Sequence, residues 1–308
     1  MNKWKSIVGA LISMAVIAFV VAIPVSYYGV AYTKYCYYQI ASGKDTTANY
    51  QAIAKYPDQA FRLAQEKIAS GRPKDEVIAL CILRQIGDPR SLELLCRSLQ
   101  DGQQPETAAS CLSSIGTPQA IACLIDSADS PLQEVRQPCY RVLLAVLQDG
   151  RQRDLILRGL SDASANVQVC VFDHLADLPE DQLEKYREPL SAMLKGGGSK
   201  MQRGYAARML AKIGDEGGLQ YCMNEIRNLA NSGAEADAQS AQGELETLSL
   251  LCGARIMPEV ISLVREFPAH RRRPLLSALY FLTKKEFASL RELEQWWEKN
   301  GQRGADRD

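Results

Sequence analysis

Ala79-Leu80-Cys81-Ile82-Leu83-Arg84-Gln85-Ile86-Gly87-Asp88-Pro89 aligns without a gap on Ala108-Ala109-Ser110-Cys111-Leu112-Ser113-Ser114-Ile115-Gly116-Thr117-Pro118, an offset of 29 residues from Gly87 to Gly116. The chemistry of the two stretches is the same. An apolar helix meets a glycine suited to a left-handed backbone, Asp88 or Thr117 stands where an N-cap belongs, and Pro89 or Pro118 opens a new helix. One helix stops and the next starts within about two residues, so each pair must fold back antiparallel.

Weaker copies run on through the chain. They are Val142-Leu143-Leu144-Ala145-Val146 before Asp149-Gly150, Phe172-Asp173-His174-Leu175 before Leu178-Pro179, Leu210-Ala211-Lys212-Ile213-Gly214-Asp215, Leu250-Leu251-Cys252-Gly253 and Leu279-Tyr280-Phe281-Leu282-Thr283. The helices after the turns are amphipathic, as in Ser91-Leu92-Glu93-Leu94-Leu95-Cys96-Arg97-Ser98-Leu99, and no strand-like alternation of useful length occurs. Short paired helices that cannot bury their faces alone predict an all-α fold, an α-solenoid of about seven helix pairs.

The 308 residues carry 36 basic and 36 acidic side chains, and this zero net charge removes the case for a nucleic-acid partner. With 46% hydrophobic and 23% charged residues, the chain is too apolar to be disordered. Part of that apolarity is local: Ser6 to Thr33 holds no charge, and Ile7 to Ile23 is long enough to span a bilayer. Tyr27, Tyr28, Tyr32, Tyr35, Tyr37 and Tyr38 follow it, a grouping suited to a headgroup layer. The segment reads as one transmembrane helix preceding the solenoid. A cleaved signal peptide, with Lys3 and Lys5 before it and Gly29-Val30-Ala31 after it, is the competing reading. Lys3 and Lys5 against Lys34 and Lys44 favour an N-inside anchor, with the repeats periplasmic or extracellular.

The nine cysteines include no CxxC pair. Cys81, Cys96, Cys111, Cys123, Cys139, Cys170, Cys222 and Cys252 lie beside Leu, Ile and Ala and read as small buried hydrophobes rather than redox or zinc ligands. A disulfide would require two of their helices to bring Cα atoms within about 7 Å.

The pattern of Val135-Arg136 opening a helix, and of Ile-Gly followed by Asp or Thr and Pro leading into the next, resembles the bacterial HEAT-like repeats, including those of the phycobilisome lyase type. The resemblance spans roughly Asp75 to Asn300. It implies a concave surface lined by the helix before each glycine turn. Arg136 matches the family's arginine, whereas Gln168 and Gln202 stand where further arginines are expected. Ala278 to Thr283, with Phe287 and Trp296-Trp297, resembles the aromatic cap that closes such stacks. Tetratricopeptide repeats are the rival, but their tryptophan and proline signature is missing.

The expected organisation is a flank over 1–6, a transmembrane helix or uncleaved signal anchor over 7–33, and a juxtamembrane segment with a capping helix over 34–70. Repeats occupy 71–300, and a frayed tail 301–308. Ser42 to Gln51 reads as a polar linker, Gly196-Gly197-Gly198-Ser199 as a break, and Asn231 to Gly243 as a polar lengthening of one repeat.

No phosphate loop, nucleophile elbow, HExxH or EF-hand pattern is present. Asp173 and His174 are adjacent and so point about 100° apart on a helix, which disfavours an acid-base pair. His270-Arg271-Arg272-Arg273 reads as a solvated loop between repeats. The polar residues before the turns, namely Arg84, Gln85, Ser113, Ser114, Arg141, Asp173, His174, Arg208 and Lys212, would share one surface under the resemblance. The expectation is a non-catalytic membrane-anchored scaffold or adaptor for a protein partner, with no cofactor. The alternatives are a bilin lyase-like enzyme, implied by the resemblance, and a redox cofactor held by the cysteines.

Overall fold

The computed structural model describes residues 28–304 other than 45, 102, 197 and 233, and every regular element among them is helical. The expected span over 7–33 lies outside the described residues as far as residue 27. Residues 28–41 form the first helix, α1, followed by α2 (Thr46–Ile53), α3 (Pro57–Ala69), α4 (Pro73–Ile86), α5 (Pro89–Gln100), α6 (Pro105–Ile115), α7 (Pro118–Ser127), α8 (Gln133–Val146) and α9 (Asp149–Leu160). Then come α10 (Ala165–Asp177), α11 (Glu180–Leu183), α12 (Arg187–Lys195), α13 (Lys200–Lys212), α14 (Glu216–Asn231) and α15 (Glu235–Cys252). The last four are α16 (Met257–Glu266), α17 (Ala269–Ala278), α18 (Tyr280–Thr283) and α19 (Leu290–Gly304). The chain divides into two compact units, 1–167 and 168–308.

The repeated turns form as their residues dictate. Gly87 and Gly116 both sit at φ 65°, and each N–H returns to the carbonyl four residues back, on Leu83 and Leu112. Asp88 then accepts from the Ser91 N–H at 2.8 Å and Thr117 from the Ala120 N–H at 3.3 Å, so each new helix is capped where its proline begins it. Gly214 and Asp215 repeat the device, with Asp215 accepting from the Gly218 N–H.

In the N-terminal unit α4, α6 and α8 stack as one layer while α5 packs on α7 in another. The layer of α4 is apolar on more than one side, because Ile78, Leu80, Ile82 and Leu83 are all buried against neighbours on each flank. Each such side chain contributes roughly 1.5–3 kcal/mol relative to exposure. In the C-terminal unit α13, α15 and α17 form one layer, and α14, α16 and α19 the other. Phe287, Leu290 and Leu293 join its core, with Trp296 and Trp297 packed against it. Phe287 meets Trp296 edge to face at 5.7 Å, in the region that resembles an aromatic cap.

Several expectations are corrected. Most of the linker is helix: α2 covers Thr46–Ile53, held by the fully buried Ile53. The polar lengthening after Asn231 is largely the first half of α15, since its alanine, glutamate and glutamine content favours helix. The basic cluster is no loop but the start of α17, where Arg272 donates to the carbonyls of Phe267 and Arg265, and Arg271 to that of Asn231.

The tyrosines after the apolar segment do not form one belt. Tyr28, Tyr35 and Tyr38 are exposed, whereas Tyr37 is buried, donates to Asp75 at 2.6 Å and lies beneath the Lys67 ammonium. Among the described residues, 235–266 form the one stretch long and apolar enough to cross a membrane. That stretch is α15 and α16 joined by a 3-10 turn at Gly253, and half of its apolar window is buried within its own unit.

Two cysteines are bonded rather than merely packed. Cys96 of α5 and Cys123 of α7 form a disulfide, their Cα atoms 6.1 Å apart.

Candidate functional site

The nine polar positions before the turns lie on helices, and four of them, Ser114, Arg141, Arg208 and Lys212, are bonded within the fold. In the N-terminal unit, Arg84 and Gln85 end α4, Ser113 and Ser114 end α6, and Arg141 lies within α8. Because α4, α6 and α8 are parallel members of one layer, the first two pairs of residues are neighbours at one edge of it. Gln85 is exposed. Ser114 Oγ turns back to the Ser110 carbonyl at 2.8 Å. Arg141 Nη1 meets Glu106 Oε2 at 2.6 Å, an exposed pair that ties α8 to α6. Arg84 is half-buried, and its charge falls on Tyr50, Cys81 and Cys111.

In the C-terminal unit, Asp173 is exposed while His174 is half-buried, its Nε2 atom enclosed with no hydrogen-bond partner. Burial holds the His174 imidazolium below its ordinary pKa against the opposing charge of Asp177. Arg208 pairs with Glu244 at 2.7 Å and lies 4.5 Å over the Tyr205 ring, which itself stacks on Phe172. Lys212 Nζ donates to the Ala176 and Leu178 carbonyls, closing the end of α10. Arg208 and Lys212 therefore bind successive helices together rather than offering free charge.

Sequence reasoning missed how much of the charge is used between repeats. Arg136 of α8 reaches Asp162 ahead of α10 with two hydrogen bonds, and Arg158 of α9 reaches Asp129 after α7. In the other unit Arg187 joins Asp215, Arg227 joins Glu266, and Arg265 joins Glu294. The signal was an arginine in one helix and an acid about one repeat away, which is invisible until the repeat length is known.

Exposed apolar side chains occur in both units, with Leu132 at the start of α8 and others at helix ends. Val146 ends α8 in the N-terminal unit. Leu250 near the end of α15, and Tyr280 and Phe281 just past α17, lie in the C-terminal unit. That unit also holds a pocket of about 390 Å³ lined by Arg208, Tyr221, Cys222, Glu225 and Glu244, and one of about 840 Å³ beside His270, Arg273 and Tyr280. Among the described residues no three His, Cys, Asp or Glu side chains are grouped as metal ligands.

Residues 77–101 match the family model of the PBS lyase HEAT-like repeat. The chain carries a HEAT-like repeat. The match begins within α4 and runs through the Gly87 turn and α5 to Asp101, most of one helical hairpin. No curated protein matches the chain. Arg84 and Gln85 thus end the first helix of the matched HEAT-like repeat, and Cys81 and Cys96 lie one on each of its helices.

Proposed function

We propose that this chain is a non-catalytic HEAT-like scaffold, held at a membrane by its N-terminal apolar segment, that captures a protein partner along the turn-proximal edges of its helical layers. The observation that carries this reading is the recurrence of polar and apolar exposure near the ends of five helices: Gln85, Ser114 and Val146 in one unit, Leu250, Tyr280 and Phe281 in the other. Exposed aromatic and aliphatic groups flanked by polar ones are what a protein interface needs. The Cys96–Cys123 bridge supports export of the repeats, because such bonds persist in oxidising compartments.

The test is photo-crosslinking in membranes from positions 85 and 250, with Gln85→Arg and Leu250→Arg as variants whose fold is checked by circular dichroism. One partner, recovered from both positions and lost in the folded variants, supports the scaffold. No partner, or capture indifferent to both substitutions, removes it. A C-terminal phosphatase fusion reads the topology independently, and an inactive fusion places the repeats on the cytoplasmic side.

The bilin lyase-like reading rests on the repeat match, and visible absorbance after mixing the chain with a linear tetrapyrrole tests it. An unchanged pigment spectrum ends it.

A further inference from the structure

Four side chains from three helices meet on the first two hairpins. Cys81 on α4 and Cys111 on α6 are free thiols that interact with each other, and α4 packs directly on α6. Tyr50 interacts with Cys81 from α2, which packs on α4. Arg84, one turn beyond Cys81, adds its positive charge. Cys81 retains solvent access while Cys111 is 2% exposed. An outer thiol with an inner neighbour, a hydroxyl and a cation is the arrangement in which the outer sulfur is the reactive one.

We propose that Cys81 and Cys111 are a thiol–disulfide exchange pair, Cys81 attacking and Cys111 resolving, whose substrate is a small solvent-borne disulfide. The Cys81 thiolate attacks one sulfur of RS–SR, forming Cys81–S–SR, and the departing RS⁻ takes up a proton from water. Cys111 loses its proton to water and attacks the Cys81 sulfur, forming the Cys81–Cys111 bond and releasing the second RS⁻, which is protonated in turn. Two protein thiols are oxidised and one disulfide becomes two thiols. The step is independent of any protein partner, so it stands or falls apart from the scaffold reading.

The electrostatics fit the order of attack. The Cys111 hydrogen bond, the Arg84 charge and the Tyr50 hydroxyl together overcome burial and bring the Cys81 thiol down to about 6, while the same hydrogen bond and burial push Cys111 up. Cys139 on the next helix of the layer supplies the contrast: burial alone raises it to about 12. The oxidised pair would join α4 to α6, as Cys96–Cys123 already joins α5 to α7.

The experiment challenges the full chain, purified in detergent, with glutathione disulfide and maps the products by mass spectrometry. The expected product is a Cys81–Cys111 crosslink. Cys111→Ser should stop at glutathione on Cys81, and Cys81→Ser should leave Cys111 unmodified. Iodoacetamide should label Cys81 at least about tenfold faster than Cys139 near neutral pH. Tyr50→Phe and Arg84→Gln keep both thiols and should move the pH midpoint of Cys81 labelling upward. They decide the matter if the serine variants fail to fold. Glutathione spread evenly over Cys81, Cys139 and Cys222, a Cys111→Ser protein that takes up none, or a midpoint unmoved in both charge and hydroxyl variants would overturn the proposal.

Discussion

Arg136 and Asp162 face each other across a repeat boundary in a bidentate pair, Nε to Oδ2 at 2.9 Å and Nη2 to Oδ1 at 2.7 Å, with side chains only 14% and 10% exposed. Arg136 also donates to the carbonyls of Ser130 and Pro131, and Asp162 accepts from the Ser164 N–H. Removing one partner strands the other where water reaches it poorly. Arg136→Ala should therefore cost about 2–3 kcal/mol in a denaturant titration, with Asp162→Asn strongly non-additive to it in a double-mutant cycle. Additive costs would mean that the pair does not act as a unit.

The same pair gives stability a pH dependence. Burial alone would raise the Asp162 pKa, but the Arg136 hydrogen bonds, the Ser164 N–H and the Arg136 charge outweigh it and leave it low. A carboxyl depressed in the folded state contributes stability that is present above its unfolded value of about 3.9 and lost as pH falls through the folded one. The acid limb of the stability curve should flatten in Asp162→Asn, measured below about pH 4.

Glycines at two kinds of site should respond differently to alanine. At Gly87 the added Cβ would meet nothing closer than the Arg84 carbonyl at 3.7 Å, so only the positive φ matters and the cost should be about 1 kcal/mol. At Gly218 it would lie 2.6 Å from Leu210 Cβ and 2.7 Å from the Ala207 carbonyl. Helices α13 and α14 must part to admit it, and a loss of roughly 1–3 kcal/mol or more is expected. Equal melting shifts for the two variants would contradict this account.

Reducing Cys96–Cys123 removes a crosslink across a sequence separation of 27 residues, and chain entropy alone predicts a loss of roughly 3–4 kcal/mol. Thermal melts with and without a phosphine reductant measure it, with Cys96→Ser as the comparison. Peptide mapping of protein taken from membranes, alkylated before any reduction, reports whether the bond exists there.

His174 offers a spectroscopic check. Enclosure lowers its pKa from the usual value of about 6.5. A histidine that is harder to protonate when folded loses stability as pH falls below the unfolded value. The His174 imidazole resonances should titrate below the usual value of about 6.5, and a midpoint at that value would show His174 to be solvated.

The hairpins were legible where local chemistry alone decides them. Gly87 with Asp88, Gly116 with Thr117 and Gly214 with Asp215 each state a stop and a start within two residues, and all three behave as written. Pro138 and Pro274 lie inside α8 and α17, and neither helix ends there. What stayed illegible was everything that depends on the distance between repeats. Arg136 and Asp162 are 26 residues apart, and Cys96 and Cys123 27, and no local pattern announces either meeting. The nine polar positions were found as positions, but their partners Glu106, Glu244 and the Ala176 carbonyl lie one repeat away and could not be read.

Helix α1 does not hang from α3 and α4 as a strap. Tyr37 is locked to Asp75, Lys74 reaches the Ala41 carbonyl at 2.8 Å, and Tyr32 meets Tyr56 edge on. A loose tether would fix only how far a domain can wander. A docked helix also fixes heading, so any constraint applied at residue 28 is passed to the first hairpins as a torque, and the edge carrying Gln85 and Ser114 keeps one compass bearing relative to whatever holds that helix.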